Sequence, residues 1–583
     1  MSAPQERTAL TSRPSLYTYA LRLAQDRPDR PFGGGHPLPD EPPEPERDGP
    51  RGKRAFAAVE AALGPLLAGP DSPAAMAELQ RLLTELPVHD GPLVGAVLAM
   101  TLDDEAAARA IGRHLTRTGT TRRPVSVGLA LLRRLGEAED VPYLKALCGL
   151  RGLFSLAVAA LEPLDPQTAA LRQLDARISS PETRPLVDAL LSGDRREIRS
   201  RLIRQPLGAR TIAPEPARWI AEAVGLAGLP GQGPADPRLL AQVGRLLARM
   251  ASSRGTQPEL LAYREATAAF DALVRRAGAL PPTTEHAVVL LALALDLHSG
   301  QAHVLPWRDG QREQLLDELG ALVLSPEWAG VVLAEPAADA PPALRRRAIW
   351  LRHTTERVFR ATDPPGRLRI EVAHPDPDDP GSVETRFLLD GRPLLPESFG
   401  HGPGGHPDHL LDRGALTATA EPREVKLAEA WCTEGCCGAL WVSVVREGDT
   451  VVWRDWRRPG IPPSRTRAPE PPAYRFEAAA YTAELARATG DRGGEWPGWT
   501  MARLLGAALR DRPELSARWG LAFSSAYTDY RNPDTTVVTF VQRSTDSTGR
   551  WFTWKLADDG RPPTARVADA LYRLAEEDPR GDA

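Results

Sequence analysis

Over the first 360 or so residues the apolar positions recur at helical spacing, in stretches punctuated by Pro, Gly and Asp. Val125, Leu129, Leu132 and Leu135 form one stripe of a predicted helix Val125–Leu135, and a neighbour must cover that stripe. The break GEAED follows, then helix Val141–Leu150, a short RG break, and helix Leu153–Leu161 closed by PLDP. Two-helix units that cannot bury their own apolar faces stack on one another. Further pairs are expected around Asp103–Leu115, Pro166–Leu191 and Asp194–Leu229, with longer helices over Leu239–Met250, Leu260–Ala277, Glu285–Leu297 and Leu344–Ala361. Pro341 and Pro342 suit the start of the last, and Pro364 and Pro365 end it. Residues 14–26 read as a short amphipathic helix and residues 27–51 as a Pro-rich linker in which His36 is solvated.

The period changes after Pro365. RLRIEVAH reads as a strand, and RFLLDGRPLL carries Asp390-Gly391 between apolar runs, a tight hairpin signal. Pro393 confines the second arm to an edge. EVKLAEAWC is a further strand, and ALWVSVVREGDTVVWRDW a second hairpin turning at Glu447–Asp449. Beyond a second Pro-rich link at 459–472 come helices near Phe476–Ala488 and Thr500–Arg510, strands Leu521–Tyr530, Thr536–Arg543 and Trp551–Leu556, and helix Ala565–Glu577. The expected fold is multidomain: an all-α solenoid or helical array, then an α+β domain with mainly antiparallel strands. Its divisions are 1–53, helix and linker; 54–230, helical repeats; 231–364, further helices; and 365–583, the α+β domain.

LALLRRLGEAEDVPYLKALCGLRGLFSLAVAALEPL resembles a HEAT-type repeat, with its Gly and acidic break, Val-Pro opening one helix, and an Ala/Leu-rich second helix. From about Arg367 to Asp578 the chain resembles an uncharacterised actinobacterial family in LAEAWCTEGCCGALWVSVVREGD, VVWRDWR and EWPGWTMARLL. That resemblance implies a shared domain and transfers no catalytic residue.

Composition changes how the charged residues are read. The chain has 583 residues and a formal net charge of -4, which gives no global pull toward nucleic acid or an anionic membrane. Lysine occurs only at Lys53, Lys145, Lys426 and Lys555, so 68 of the 72 basic residues are arginine. With Ala, Gly and Pro also abundant, this matches a high-GC bacterial coding bias. The arginine runs at Arg195–Arg204 and Arg345–Arg352 therefore carry little weight as phosphate sites, and nucleic acid is not an expected partner. No apolar stretch reaches the roughly 20 residues of a membrane span. No secretory leader is read at the N-terminus, and the expected location is cytoplasmic.

The sharpest local motif is Trp431-Cys432-Thr433-Glu434-Gly435-Cys436-Cys437-Gly438, which holds three of the four cysteines. Such thiols suit a soft metal or a redox pair, although structural zinc usually takes two separated Cys pairs. Cys436 and Cys437, as strand neighbours, would face opposite sides. His406 and His409, in the loop His401–His409 with Asp408, are the imidazoles that would complete a transition-metal site such as zinc. The bland readings are structural thiols and an exposed Gly/Pro loop. The acidic loop 374–380 lacks the Gly and Glu of an EF-hand.

Nine of the 13 tryptophans follow residue 430. Trp453 and Trp456 have opposite strand parity, which makes Trp456, beside Asp455, the expected exposed anchor for a partner. No P-loop, GxGxxG, HExxH, GxSxG or kinase motif is present, which weighs against an enzyme. The expected function is a cytoplasmic protein-interaction or scaffold protein without a cofactor, neutralisation of a neighbouring toxin being a special case. The alternative is a metal-dependent or thiol-based enzyme or sensor in the C-terminal domain.

Overall fold

The computed structural model describes residues 14–26, 35–39, 53–67, 73–208, 211–231, 233–252, 258–337, 339–360, 366–379, 383–459, 470–529, 531–542 and 550–582. The chain forms a helical N-terminal half followed by helices and three small antiparallel sheets. It divides into two compact units, residues 1–205 with 219–225, and residues 206–218 with 226–583. Most of the linker expected at 27–51 and of the link at 459–472 lies outside the described residues. His36 is partly buried, contrary to the solvated reading: its N–H donates to Gly149 O and its carbonyl accepts from Arg151 N, both at 2.8 Å.

The first unit contains α1 (Leu16–Asp26), α2 (Lys53–Leu67), α3 (Pro73–Glu85), α4 (Asp90–Ala99), α5 (Glu105–Thr118), α6 (Arg122–Leu135), α7 (Val141–Leu147), α8 (Phe154–Leu161), α9 (Pro166–Arg177), α10 (Arg184–Ser192) and α11 (Arg195–Arg204). Alternate helices touch, α2 on α4, α4 on α6 and α6 on α8, while α5 pairs with α6 and α7 with α8. That is a two-layer stack. Asp104 starts α5 by accepting from Ala107 N, and Ala108, Ile111 and Leu115 bury its apolar face. Gly112 and Gly128 let α5 and α6 approach closely, because a Cβ on Gly128 would lie 2.9 Å from Gly112 O. The acidic break before α7 is built around Asp140, which accepts from Glu137 N at 2.9 Å and from Arg113 Nε at 2.9 Å.

The second unit contains α12 (Pro237–Met250), α13 (Thr284–Ser299) and α14 (Pro342–Thr355), then the sheets. Strands β1 (Leu368–Ala373), β2 (Glu384–Leu389) and β3 (Arg392–Pro393) form the first. Asp390 and Gly391 have φ of 50° and 81°, so the hairpin turns through two left-handed residues, and Pro393 sits on the edge as expected. Strands β4 (Arg423–Glu429), β5 (Ala439–Glu447), β6 (Thr450–Arg457) and β7 (Tyr474–Glu477) form the second as a meander. Between them runs a strip of backbone: Thr385 N donates to Gly405 O at 3.0 Å, and Gly405 N donates to Leu427 O at 2.7 Å. Only glycine fits here. A Cβ on Gly404 would stand 2.1 Å from Thr385 O, and one on Gly402 would stand 2.1 Å from Glu429 O. Both sheets share one core, which α15 (Ala478–Gly490) closes through the buried Tyr481. The third sheet, β8 (Ala522–Thr528), β9 (Thr535–Gln542) and β10 (Arg550–Ala557), packs under α16 (Pro497–Asp511) and α17 (Pro563–Glu576).

A buried polar network joins α13 to the first sheet. Arg386 donates through Nε to Glu384 at 2.8 Å and reaches Leu295 O and Ser299 Oγ on α13. His298 Nε2 meets Glu371 Oε1 at 3.0 Å. Asp296 accepts from Gln301 N at 3.0 Å and Ala302 N at 2.9 Å. Burial raises the Asp296 carboxyl to about 6, against the opposing pull of Arg386 and the two amides. Between the ordinary carboxylate range and that value the folded chain keeps a proton that the unfolded chain has lost. Stability from this group is therefore present in acid and falls as pH rises through the window, by about 2–3 kcal/mol in all. Wild type minus Asp296→Asn stability, measured by urea unfolding, is expected to decline by that amount from about pH 4 to about pH 6.5 and then stay flat. A difference that stays level across the window would contradict the raised value.

Candidate thiol cluster

The β4–β5 hairpin does not close in a minimal turn. Ala430 N donates to Gly438 O at 2.9 Å, and residues 431–437 between them fold into a compact projection. Thr433 is extended, and Glu434–Cys437 make a single helical turn in which Cys436 N and Cys437 N both donate to Thr433 O at 3.1 Å. Gly438 then takes φ 99°, a conformation that favours glycine, before β5 begins. This corrects the strand reading of the cysteines. On a strand Cys436 and Cys437 would diverge; on a helical turn their sulfurs lie 3.7 Å apart. Cys432 completes the group, with all three sulfurs within 4.8 Å of one another.

Cys432 and Cys436 are exposed and Cys437 is half-buried. Hydrogen bonding to the Cys437 thiol draws Cys432 below its usual range, and the same contact pushes Cys437 up to about 12. One thiolate is thus favoured at the expense of its neighbour. Cys148, in the first unit, is buried, and burial pushes its thiol up to about 12, as expected of an inert core sulfur.

The carboxylates of the projection are already engaged. Glu429 accepts from Glu434 N at 3.0 Å and from Lys426 Nζ at 2.6 Å. Glu434 accepts from Trp441 Nε1 at 3.3 Å and lies 3.6 Å from Lys426. Sequence spacing gave no sign of this Lys426–Glu429–Glu434–Trp441 frame, because it forms only when β4 and β5 pair. Trp431, next to Cys432, is 45% exposed.

The histidine loop is not part of the group. His406 and His409 are exposed, His406 Nδ1 accepts from Asp408 N at 3.2 Å, and its ring lies edge-on to Trp499. Asp408 is held by Arg413 at 2.8 Å and Arg510 at 3.1 Å. Among the described residues the converging donors are the three thiols alone. A joint Cys and His site is not assembled, since the loop spends its backbone joining the sheets.

Trp456 is a second correction. It is buried at 8% exposure, with Trp453 at 0%, in the same core. The pairing of β5 with β6 shifts register, so that Trp441 faces Arg457 while Ser443 faces Arg454, and Asp455 takes φ 53°. This bulge adds one residue to β6 and turns Trp456 inward, where Nε1 donates to Pro472 O at 3.0 Å. Asp455 stays exposed. The exposed tryptophans are instead Trp431 and Trp551.

No protein-family model, curated protein or solved structure matches the chain. No helix among the described residues is long and apolar enough to cross a membrane.

Proposed function

We propose that this protein binds a soft metal ion through Cys432, Cys436 and Cys437 and acts as a thiol-based sensor or carrier. The convergence of three sulfurs on one exposed turn supports this reading. Filling the core does not account for Cys432 and Cys436, which are open to solvent. The chain has four cysteines in 583 residues, and exposed thiols that are reactive and unused are a liability. The full-length chain, purified reduced and without chelators, is expected to carry or take up one thiophilic ion that Cys436→Ser loses. Equal metal content in wild type and variant would overturn the reading.

A second reading, a cytoplasmic protein partner held by the helical unit, is supported by the alternating contacts of α2, α4, α6 and α8, since stacked helical pairs present extended surfaces. Deleting residues 53–205 should abolish co-purification of a stoichiometric partner from native lysate. Recovery of the same partner by the deleted chain would remove this reading.

A further inference from the structure

Resting on the soft-metal reading above, we infer that the Cys432–Cys437 turn takes a three-coordinate ion of the arsenous-acid class rather than four-coordinate zinc. Among the described residues the turn offers three sulfurs and no fourth protein donor. The two carboxylates close enough in sequence to serve, Glu429 and Glu434, are committed to Lys426, to Trp441 and to a backbone amide. His406 and His409 stand outside the group.

Three sulfurs on one ion at bonds near 2.3 Å stand roughly 3.3–4.0 Å apart, depending on the bond angle. The 3.7 Å between Cys436 and Cys437 already falls in that range. The other separations, none beyond 4.8 Å, close by rotation of exposed side chains. Structural zinc wants four ligands, so on this turn it would keep a water in the fourth place.

Charge points the same way. Three thiolates around a divalent ion leave one negative charge beside Glu429 and Glu434, for which Lys426 is the only cation paired to either among the described residues. Around trivalent arsenic they leave none. The step balances without an oxidant: three As–O bonds of arsenous acid break, three As–S bonds form, and the three thiol protons leave with the hydroxyls as three waters. The arsenic stays trivalent throughout.

The test is native mass spectrometry of the reduced full-length chain mixed with equimolar arsenous acid and Zn(II). One arsenic less three protons per chain is expected, retained in the presence of zinc. It should be lost in each of Cys432→Ser, Cys436→Ser and Cys437→Ser and kept in Cys148→Ala. Zinc retained with arsenic excluded would overturn the three-coordinate inference and leave the soft-metal reading standing. Arsenic retained by any of the three single serine variants would overturn it as well, by showing that two thiols suffice. Retention of neither ion would overturn the three-coordinate inference, and the metal content of the chain purified without chelators then decides the soft-metal reading separately.

Discussion

Trp453→Ala is expected to destabilise the C-terminal part of the chain by about 3–5 kcal/mol, as for other large-to-small changes at fully buried aromatics. The indole is 0% exposed and stands at the centre of an aromatic cluster. Its ring lies 5.7 Å from Phe387, 6.3 Å from Trp456, 5.6 Å from Phe476 and 6.3 Å from Tyr481, all edge-on. It therefore touches the first sheet, the second sheet and α15 together. Its N–H also meets the Tyr481 hydroxyl at 3.3 Å, and that hydroxyl donates to Leu416 O at 2.7 Å. Urea unfolding followed in the near ultraviolet reads the loss. Trp453→Phe, which keeps a ring, should cost clearly less than the Ala variant. A loss under about 1 kcal/mol for the Ala variant would mean that the cluster closes around the vacancy, contrary to its place between three elements.

Arg386→Met is expected to cost about 3–5 kcal/mol, the usual penalty for removing one partner of a buried ion pair. The guanidinium is 7% exposed and Glu384 is 5% exposed. Without the cation, Glu384 retains Gly404 N at 3.1 Å as a donor, and Asp296 loses the positive charge of Arg386 that acts on it. The acid-favoured stability described for Asp296 should then extend to higher pH, because the positive charge opposing the effect of its burial is gone. Unfolding of the variant at about pH 5 and about pH 8 measures both effects, with the larger deficit at the higher pH. An equal deficit at the two values would show that Arg386 packs α13 without acting on Asp296. The double change Arg386→Met with Glu384→Gln should recover part of the loss, since it removes the orphaned charge as well.

Most of the secondary structure was legible in the chain. The Val125–Leu135 stripe, the GEAED break and the Asp390-Gly391 turn report local rules, and α6, the Asp140 cap and the left-handed turn obey them. The failures came where a distant segment decides. Strand parity placed Trp456 outside, but the extra residue at Asp455 arises from how β6 pairs with β5, and a single strand read alone carries no mark of it. The helix expected from Phe476 begins at Ala478, after Tyr474–Glu477 has paired with β6. The thiol motif was visible as composition, whereas its geometry was not. Whether adjacent cysteines diverge or converge depends on one helical turn, and Thr433 O sets that turn by accepting both amides. The histidine loop misled for a related reason. Gly402 and Gly404 look like flexible punctuation, yet they are glycines because neighbouring strands leave no space for a Cβ.

The Gly404–Gly405 strip also bears on how the sheets are made as the chain emerges. Its place in sequence, after β2 and before β4, matches its place in space. From β4 through β7 each strand then docks on the one synthesised just before it. The whole array can grow in the order of translation, each element pairing with one already made instead of waiting for a remote segment. That keeps contact order low for a region with this much sheet and shortens the time its edges stay open to other chains. A glycine strip two residues long thereby lets the two sheets extend as one array from the first hairpin.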